Sequence, residues 1–189
     1  MTGGLMAEIV AGWPDFRASM RRRIAGGLRE DRILALIFLA GFAGFVAGLP
    51  GAVAEADRLG VERAGVVGGR FFAAVFGFPL LAYGLAALGF GLVRLAGGQG
   101  PWINGRAALA WALVLAIPLL APAPLAVLAG ASDGVVQGIG LAAFGGFLWI
   151  WACCLAESAG LTRALPLFAA MLAPPGIFAA ILTVTGQTP

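Results

Sequence analysis

The sequence predicts an all-α polytopic membrane helix bundle, with five transmembrane helices preceded by a short interfacial amphipathic segment. Three observations carry that prediction. Hydrophobic residues make up 61% of the chain and charged residues only 11%, with a mean hydropathy of +0.98. The apolar residues fall in five long runs, and half of the arginines stand before the first of them. A soluble domain of 189 residues buries only about 70% of the surface its unfolded chain exposes. Much apolar surface would therefore stay wet in water, whereas lipid solvates it without that cost. The 30 glycines and 11 prolines suit membrane helices, where small residues let backbones approach and neighbours satisfy loosened carbonyls.

The chain divides into a basic N-terminal segment, 1–32, expected to be cytoplasmic, and a membrane domain, 33–189. Within the first part, Trp13, Phe16, Met20, Ile24 and Leu28 recur at three- and four-residue spacing, as one stripe of an interfacial helix would. Arg17 falls inside that stripe and would snorkel toward headgroups. The candidate membrane-surface residues are Trp13, Phe16, Arg17 and Met20 together with Arg21, Arg22, Arg23 and Ile24. Each arginine near an anionic leaflet contributes about 1 kcal/mol, so the cluster also helps to orient the chain. A disordered basic tail is the alternative. Gly26-Gly27 provides a break before the first span. A nucleic-acid arm is the weaker reading of these charges, because an apolar span begins at Ile33.

The predicted spans are 33–50, 71–93, 107–128, 135–156 and 164–185. Ile33–Pro50 reaches most of the way across a hydrocarbon core at about 1.5 Å per residue. Its length, and the arginine-rich stretch before it, favour an uncleaved span over a signal peptide, despite the small-x-small Ala52-Val53-Ala54 that follows. A polar stretch, Glu55 to Arg70, separates the first two spans; short glycine-containing connections separate the next two pairs, and Glu157 to Arg163 precedes the fifth. With the N-terminus inside, nine arginines are retained inside against three outside, Arg58, Arg63 and Arg70. The positive-inside rule thus places the N-terminus in the cytoplasm and, after five spans, the C-terminus outside. The all-arginine basic complement and the abundance of Ala, Gly, Val and Leu point to a GC-rich bacterial genome, hence to the inner membrane and a periplasmic C-terminus.

Little chemistry is legible inside the spans. Their polar side chains are chiefly Tyr83, Gln137 and Thr183, with Glu157 at an edge. Proton-coupled transport usually needs ionisable residues within the membrane, and a chain without histidine offers no imidazole for catalysis, metal or haem. Cys153 and Cys154 are adjacent rather than C-x-x-C and read as small apolar residues. Gly97-Gly98-Gln99-Gly100 lacks the spacing and the Lys-Ser/Thr of a phosphate loop and reads as a turn. No catalytic, cofactor-binding or metal-binding residue is expected. Pro118, Pro122 and Pro124 in span three, and Pro174 and Pro175 in span five, are candidate kinks. Gly44 with Gly48, and Gly134 with Gly138, have the G-x-x-x-G spacing of helix-packing faces. Trp102, Trp111, Trp149 and Trp151 lie near the cytoplasmic ends of spans three and four, as interfacial anchors would.

The stretch Gly98-Gln99-Gly100-Pro101-Trp102, with Ala107-Ala108-Leu109-Ala110-Trp111 and Ile117-Pro118, resembles the Yip family, named for Ypt-interacting proteins. Trp149-Ile150-Trp151 and Leu155-Ala156-Glu157-Ser158-Ala159-Gly160-Leu161 are similar to that family's exit from its fourth span. The resemblance covers Arg32 to Thr185 and implies a five-span bundle with a cytoplasmic N-terminus. Eukaryotic relatives contact Rab-type GTPases; here the N-terminal part is short and basic and lacks their acidic, tyrosine-containing motif, so Rab binding and its residues are not carried over. The expected function is a non-enzymatic membrane scaffold, assembly or accessory protein that binds other membrane proteins, without nucleic acid. The alternative is a small channel or transporter using the proline-broken spans three and five.

Overall fold

A computed structural model describes residues 4–173, and every regular element among them is a helix. Two short helices, α1 (Leu5–Gly12) and α2 (Phe16–Ala25), precede a long α3 (Glu30–Leu59). Next come α4 (Arg63–Phe72), a π-helical turn (Ala73–Gly77) and α5 (Phe78–Leu95), which together form one apolar helical stretch. They are followed by α6 (Trp102–Leu115), a 3₁₀ turn (Ile117–Leu120), α7 (Pro122–Leu128) and α8 (Asp133–Ser158). Helix resumes over 165–173.

Three helical stretches are long and apolar enough to cross a membrane: Glu30–Leu59, Arg63–Leu95 and Asp133–Ser158. They become four if the bent pair Trp102–Leu115 and Ile117–Leu128 counts as one span. The fifth predicted run, 164–185, begins one residue before the helix over 165–173, and its part from 174 on, with Pro174 and Pro175, lies outside the described residues.

The helices overrun the apolar runs. At about 1.5 Å per residue, the 30 residues of α3 exceed a hydrocarbon core of about 30 Å, so its last turns carry polar residues beyond it. The stretch Glu55 to Arg70, read from sequence as a polar connection, is therefore mostly helical, broken only at Gly60–Glu62. Gly60 takes φ +65° and closes α3, its N–H reaching the Asp57 carbonyl at 3.3 Å while that of Val61 reaches Ala56 at 3.1 Å. Every arginine in this region meets an acid. Arg63 makes two bonds to Asp57, at 2.6 and 2.9 Å, Arg70 pairs with Glu55, and Arg58 lies 3.6 Å from Asp133. The last pair brings the end of α3 to the start of α8.

Two breaks have proline causes. Pro79 has no N–H for the Val75 carbonyl and its ring crowds that oxygen. The preceding turn widens accordingly, with the Phe78 N–H bonding Ala73, five residues back. Between α6 and α7 the axis bends by 48°, where Pro118 sits in the 3₁₀ turn and Pro122 opens α7. Pro124 occupies the first turn of α7, where a missing donor costs nothing.

The core is concentrated at one end of the bundle. Almost every residue of α6 from Ala107 to Leu115 is buried, and α8 is buried from Ile150 to Ala156, whereas Val135, Leu141 and Phe144 near its start are exposed. The closest helix contacts are made at glycines other than the G-x-x-x-G pairs. A Cβ on Gly89 would stand 2.7 Å from Trp151 Cζ2, and one on Gly41 would stand 2.8 Å from Phe78 Cδ1. Trp111 and Trp151 are both buried, which corrects the expectation that all four tryptophans are interfacial anchors; Trp102 and Trp149 keep partly exposed rings. The indoles nearest the helix axis contacts fill space between α2, α5, α6 and α8 instead of facing headgroups.

Candidate functional site at the arginine-rich end

The start of α3, the end of α5, the start of α6 and the end of α8 meet at one end, together with α1 and α2. Arg106 on α6 pairs with Glu30 on α3. The Gln99 N–H donates to the Ala159 carbonyl at 3.0 Å, and Asn104 Nδ2 donates to Ser158 O at 3.3 Å. The turn Gly97-Gly98-Gln99-Gly100 is thereby held on the end of α8, with Gly97 at φ +78°. This end collects nine arginines against five acids, and the opposite end three arginines against four acids. The charge separation of the sequence is thus a separation between the two ends of the bundle.

α2 is fixed at its start by Asp15, whose Oδ1 accepts the Ala18 N–H at 2.9 Å. Arg17 and Arg21 are one turn apart and both donate through Nε to Glu157, at 3.0 and 2.7 Å. Arg17 also donates to the carbonyls of Thr162 and Leu161, at 2.7 and 2.6 Å. An acid in the last turn of a helix opposes the helix dipole, so Glu157 at the end of α8 needs cations close by, and α2 supplies two. Glu157 stands just past the apolar stretch 135–156, and its carboxyl is held below the usual range, first by the hydrogen bond from Arg21.

The opposite face of α2 meets α6. Met20 is completely buried and Ser19 nearly so. The Trp111 indole N–H donates to Ser19 Oγ at 2.9 Å, and the Arg23 guanidinium carbon lies 3.7 Å from the centre of the Trp111 ring. Arg23 reaches Glu8 of α1 at 2.8 Å, while burial pushes its pKa down and Glu8 acts the other way. The Arg23 Nε, pressed against the indole, is buried without an acceptor among the described residues. Gly12 closes the contact from α1, because a Cβ there would stand 2.7 Å from Leu115 Cδ2.

These contacts correct the expectation that the stripe Trp13, Phe16, Met20, Ile24 lies on lipid. Phe16, Ile24 and Leu28 pack on the protein core beside Met20, and Trp13 alone is exposed, at 38%. The ends of α6 and α8 present an apolar surface of their own, and α2 covers it. Of the basic residues, Arg17, Arg21 and Arg23 are engaged with protein partners, whereas Arg22 makes only a 3.3 Å bond to the Ala11 carbonyl. Glu157, Ser19 and Trp111 were not singled out as partners of this segment by the sequence; the one available signal is the four-residue spacing of Arg17 and Arg21, which sets two cations on one face.

A cavity of about 420 Å³ lies between α1, α2, the first turns of α3 and the middle of α6, at Ala107 and Trp111. Arg22, Arg23, Arg29 and Arg32 line it, with Glu8 as their one acidic neighbour on its wall. Its apolar wall is formed by Ala7, Ala11, Leu28, Ile33, Leu36 and Trp111. Elsewhere, a Cβ on Gly44, Gly134 or Gly138 would meet no described atom within 4 Å, and one on Gly48 would meet only Arg70 Nη1, at 3.7 Å. Cys153 and Cys154 are free thiols, both buried. Compared with protein-family models, with curated proteins and with solved structures, the chain matches none.

Proposed function

We propose that this chain is a non-enzymatic, multi-pass scaffold, assembly or accessory protein of a bacterial inner membrane, with five spans, a cytoplasmic N-terminus and a periplasmic C-terminus. It binds other membrane proteins through its small-residue helix faces, and its Yip-like sequence features belong to the same reading. The observation that carries the proposal is the face of α3 at Gly44 and Gly48, where a Cβ on Gly44 would meet no described atom within 4 Å and one on Gly48 would meet only the tip of Arg70, at 3.7 Å. In lipid, close backbone approach supplies packing that no hydrophobic driving force replaces. The excess of arginine at the end bearing the N-terminus supports the orientation.

Substituting Gly44 and Gly48 by Leu tests the proposal. Partner recovery after mild-detergent purification is expected to fall while insertion and folded yield hold; unchanged recovery overturns the assignment. The 48° bend between α6 and α7 favours a second reading, transport along a broken span. That reading requires saturable flux in reconstituted vesicles that disappears when Pro122 is replaced by Ala, with folding and partner recovery intact.

A further inference from the structure

We propose that the open cavity between α1, α2, the first turns of α3 and the middle of α6 is a binding site for the headgroup of an anionic phospholipid. The charge is in place. Glu8 is taken by Arg23 and Asp31 by Arg29, whose Nε and Nη2 bond its two oxygens at 3.0 Å each. Arg22 and Arg32 make no ion pair among the described residues. Two guanidinium groups without an acidic partner thus line one cavity, Arg22 bonded only to the Ala11 carbonyl, and the planar, bidentate guanidinium suits the oxygens of a phosphodiester.

The depth matches as well. Arg29 and Arg32 immediately precede the first apolar run, and Ile33 and Leu36 are its opening residues, so the wall changes from cationic to apolar at the level where a headgroup joins its acyl chains. Free inorganic phosphate would use the cations and leave Leu28, Ile33 and Leu36 uncovered; an anionic lipid uses both. A zwitterionic lipid brings its own ammonium among the arginines. The volume of about 420 Å³ is within the range of small-molecule pockets, about 300–1,000 Å³, and accommodates a glycerophosphate headgroup with the start of its chains.

The test uses the full chain, delipidated in neutral detergent and titrated with dioleoylphosphatidylglycerol or dioleoylphosphatidylcholine, with bound lipid counted by native mass spectrometry. The wild-type chain is expected to retain phosphatidylglycerol in preference to phosphatidylcholine. The double variant R22Q/R32Q is expected to bind it about tenfold more weakly, while R94Q/R163Q, which removes the same charge elsewhere, binds as wild type. A second variant, Ala11→Phe, fills the cavity and leaves every arginine, and is also expected to lose the lipid; it decides the matter if R22Q/R32Q does not fold. Equal retention of the two lipids, or wild-type binding by R22Q/R32Q and Ala11→Phe, overturns the proposal. Full displacement of the lipid by millimolar inorganic phosphate overturns the lipid assignment in favour of a soluble anion. None of these outcomes depends on partner binding at Gly44 and Gly48.

Discussion

Trp151 lies against Gly89 so closely that α5 and α8 could not keep their separation with any side chain at position 89; an added Cβ would stand 2.7 Å from Cζ2 and 3.4 Å from Cε2. Gly89→Ala is therefore expected to destabilise the bundle by about 1–3 kcal/mol, the cost of forcing extra volume into a packed core. Thermal unfolding in detergent measures it. Gly84→Ala, on the same helix with nothing within 4 Å, is the control and is expected to leave the midpoint unchanged or slightly raised.

Ser19 and Trp111 form a buried hydrogen bond between α2 and α6. Either Ser19→Ala or Trp111→Phe leaves one buried polar group unpaired, and each is expected to cost about 1–3 kcal/mol. The double variant S19A/W111F leaves neither, so its cost should fall short of the sum of the two. A strictly additive cycle, measured by chemical unfolding, would show that the bond contributes nothing to docking of α2.

Glu157 makes docking of α2 sensitive to acid. Its carboxyl is held below its ordinary value of 4.5, chiefly by Arg21 and then by Arg17. The stabilisation is fully present above the ordinary carboxylate pKa and is lost as pH falls through the lowered one. Hydrogen exchange of residues 16–25, corrected for intrinsic rates, should accelerate on acidification through that window. Glu157→Gln should exchange faster at neutral pH, by roughly tenfold, and should lose the acid-dependent step. A Glu157→Gln variant with the wild-type pH profile would assign the step to another group.

Changing Arg21, Arg22 and Arg23 together to Gln removes basic charge ahead of the first span and also unseats α2, because Arg21 holds Glu157 and Arg23 covers Trp111. Both misorientation and faster exchange over residues 16–25 are expected. Compartment-dependent reporters fused after Gly98 and Gly160 should report cytoplasm, and those after Gly60 and Asp133 the outside. A cytoplasmic signal from a C-terminal fusion would contradict five spans.

The helical class and the approximate positions of the first four apolar runs were legible because hydropathy responds to the solvent that a segment meets. It does not respond to where a helix ends, so the polar turns carried by α3 and α4 around Gly60 read as a connection. The destination of α2 was not legible either. An apolar stripe of Phe16, Met20 and Ile24 has the same chemistry whether lipid or protein covers it, and the acid that decides between them, Glu157, is 140 residues from Arg17. Trp111 and Trp151 were misplaced for a related reason. Position along a span suggests an anchor, but only the packed neighbours reveal that the indole is enclosed.

The π-helical turn at Ala73–Gly77 also sets a phase. One residue corresponds to about 100° of rotation in a regular α-helix, and the widened turn absorbs one residue more than an α-helical turn would. The faces of α4 and α5 are therefore offset from the positions that an unbroken helix through the same residues would give them. Whereas deleting Ala74 would keep the present phase, closing the same residues into regular helix, as Pro79→Ala would allow, would swing α4 around its axis by about 100° relative to α5. Arg70 would turn away from Glu55, and Phe71 from its edge-on contact with Phe45 at 5.5 Å, while Gly89 and Trp151 stayed in register. The extra residue works as a fixed angular offset, which lets one continuous stretch present its polar pairings to α3 at one end and its small residues to α8 at the other.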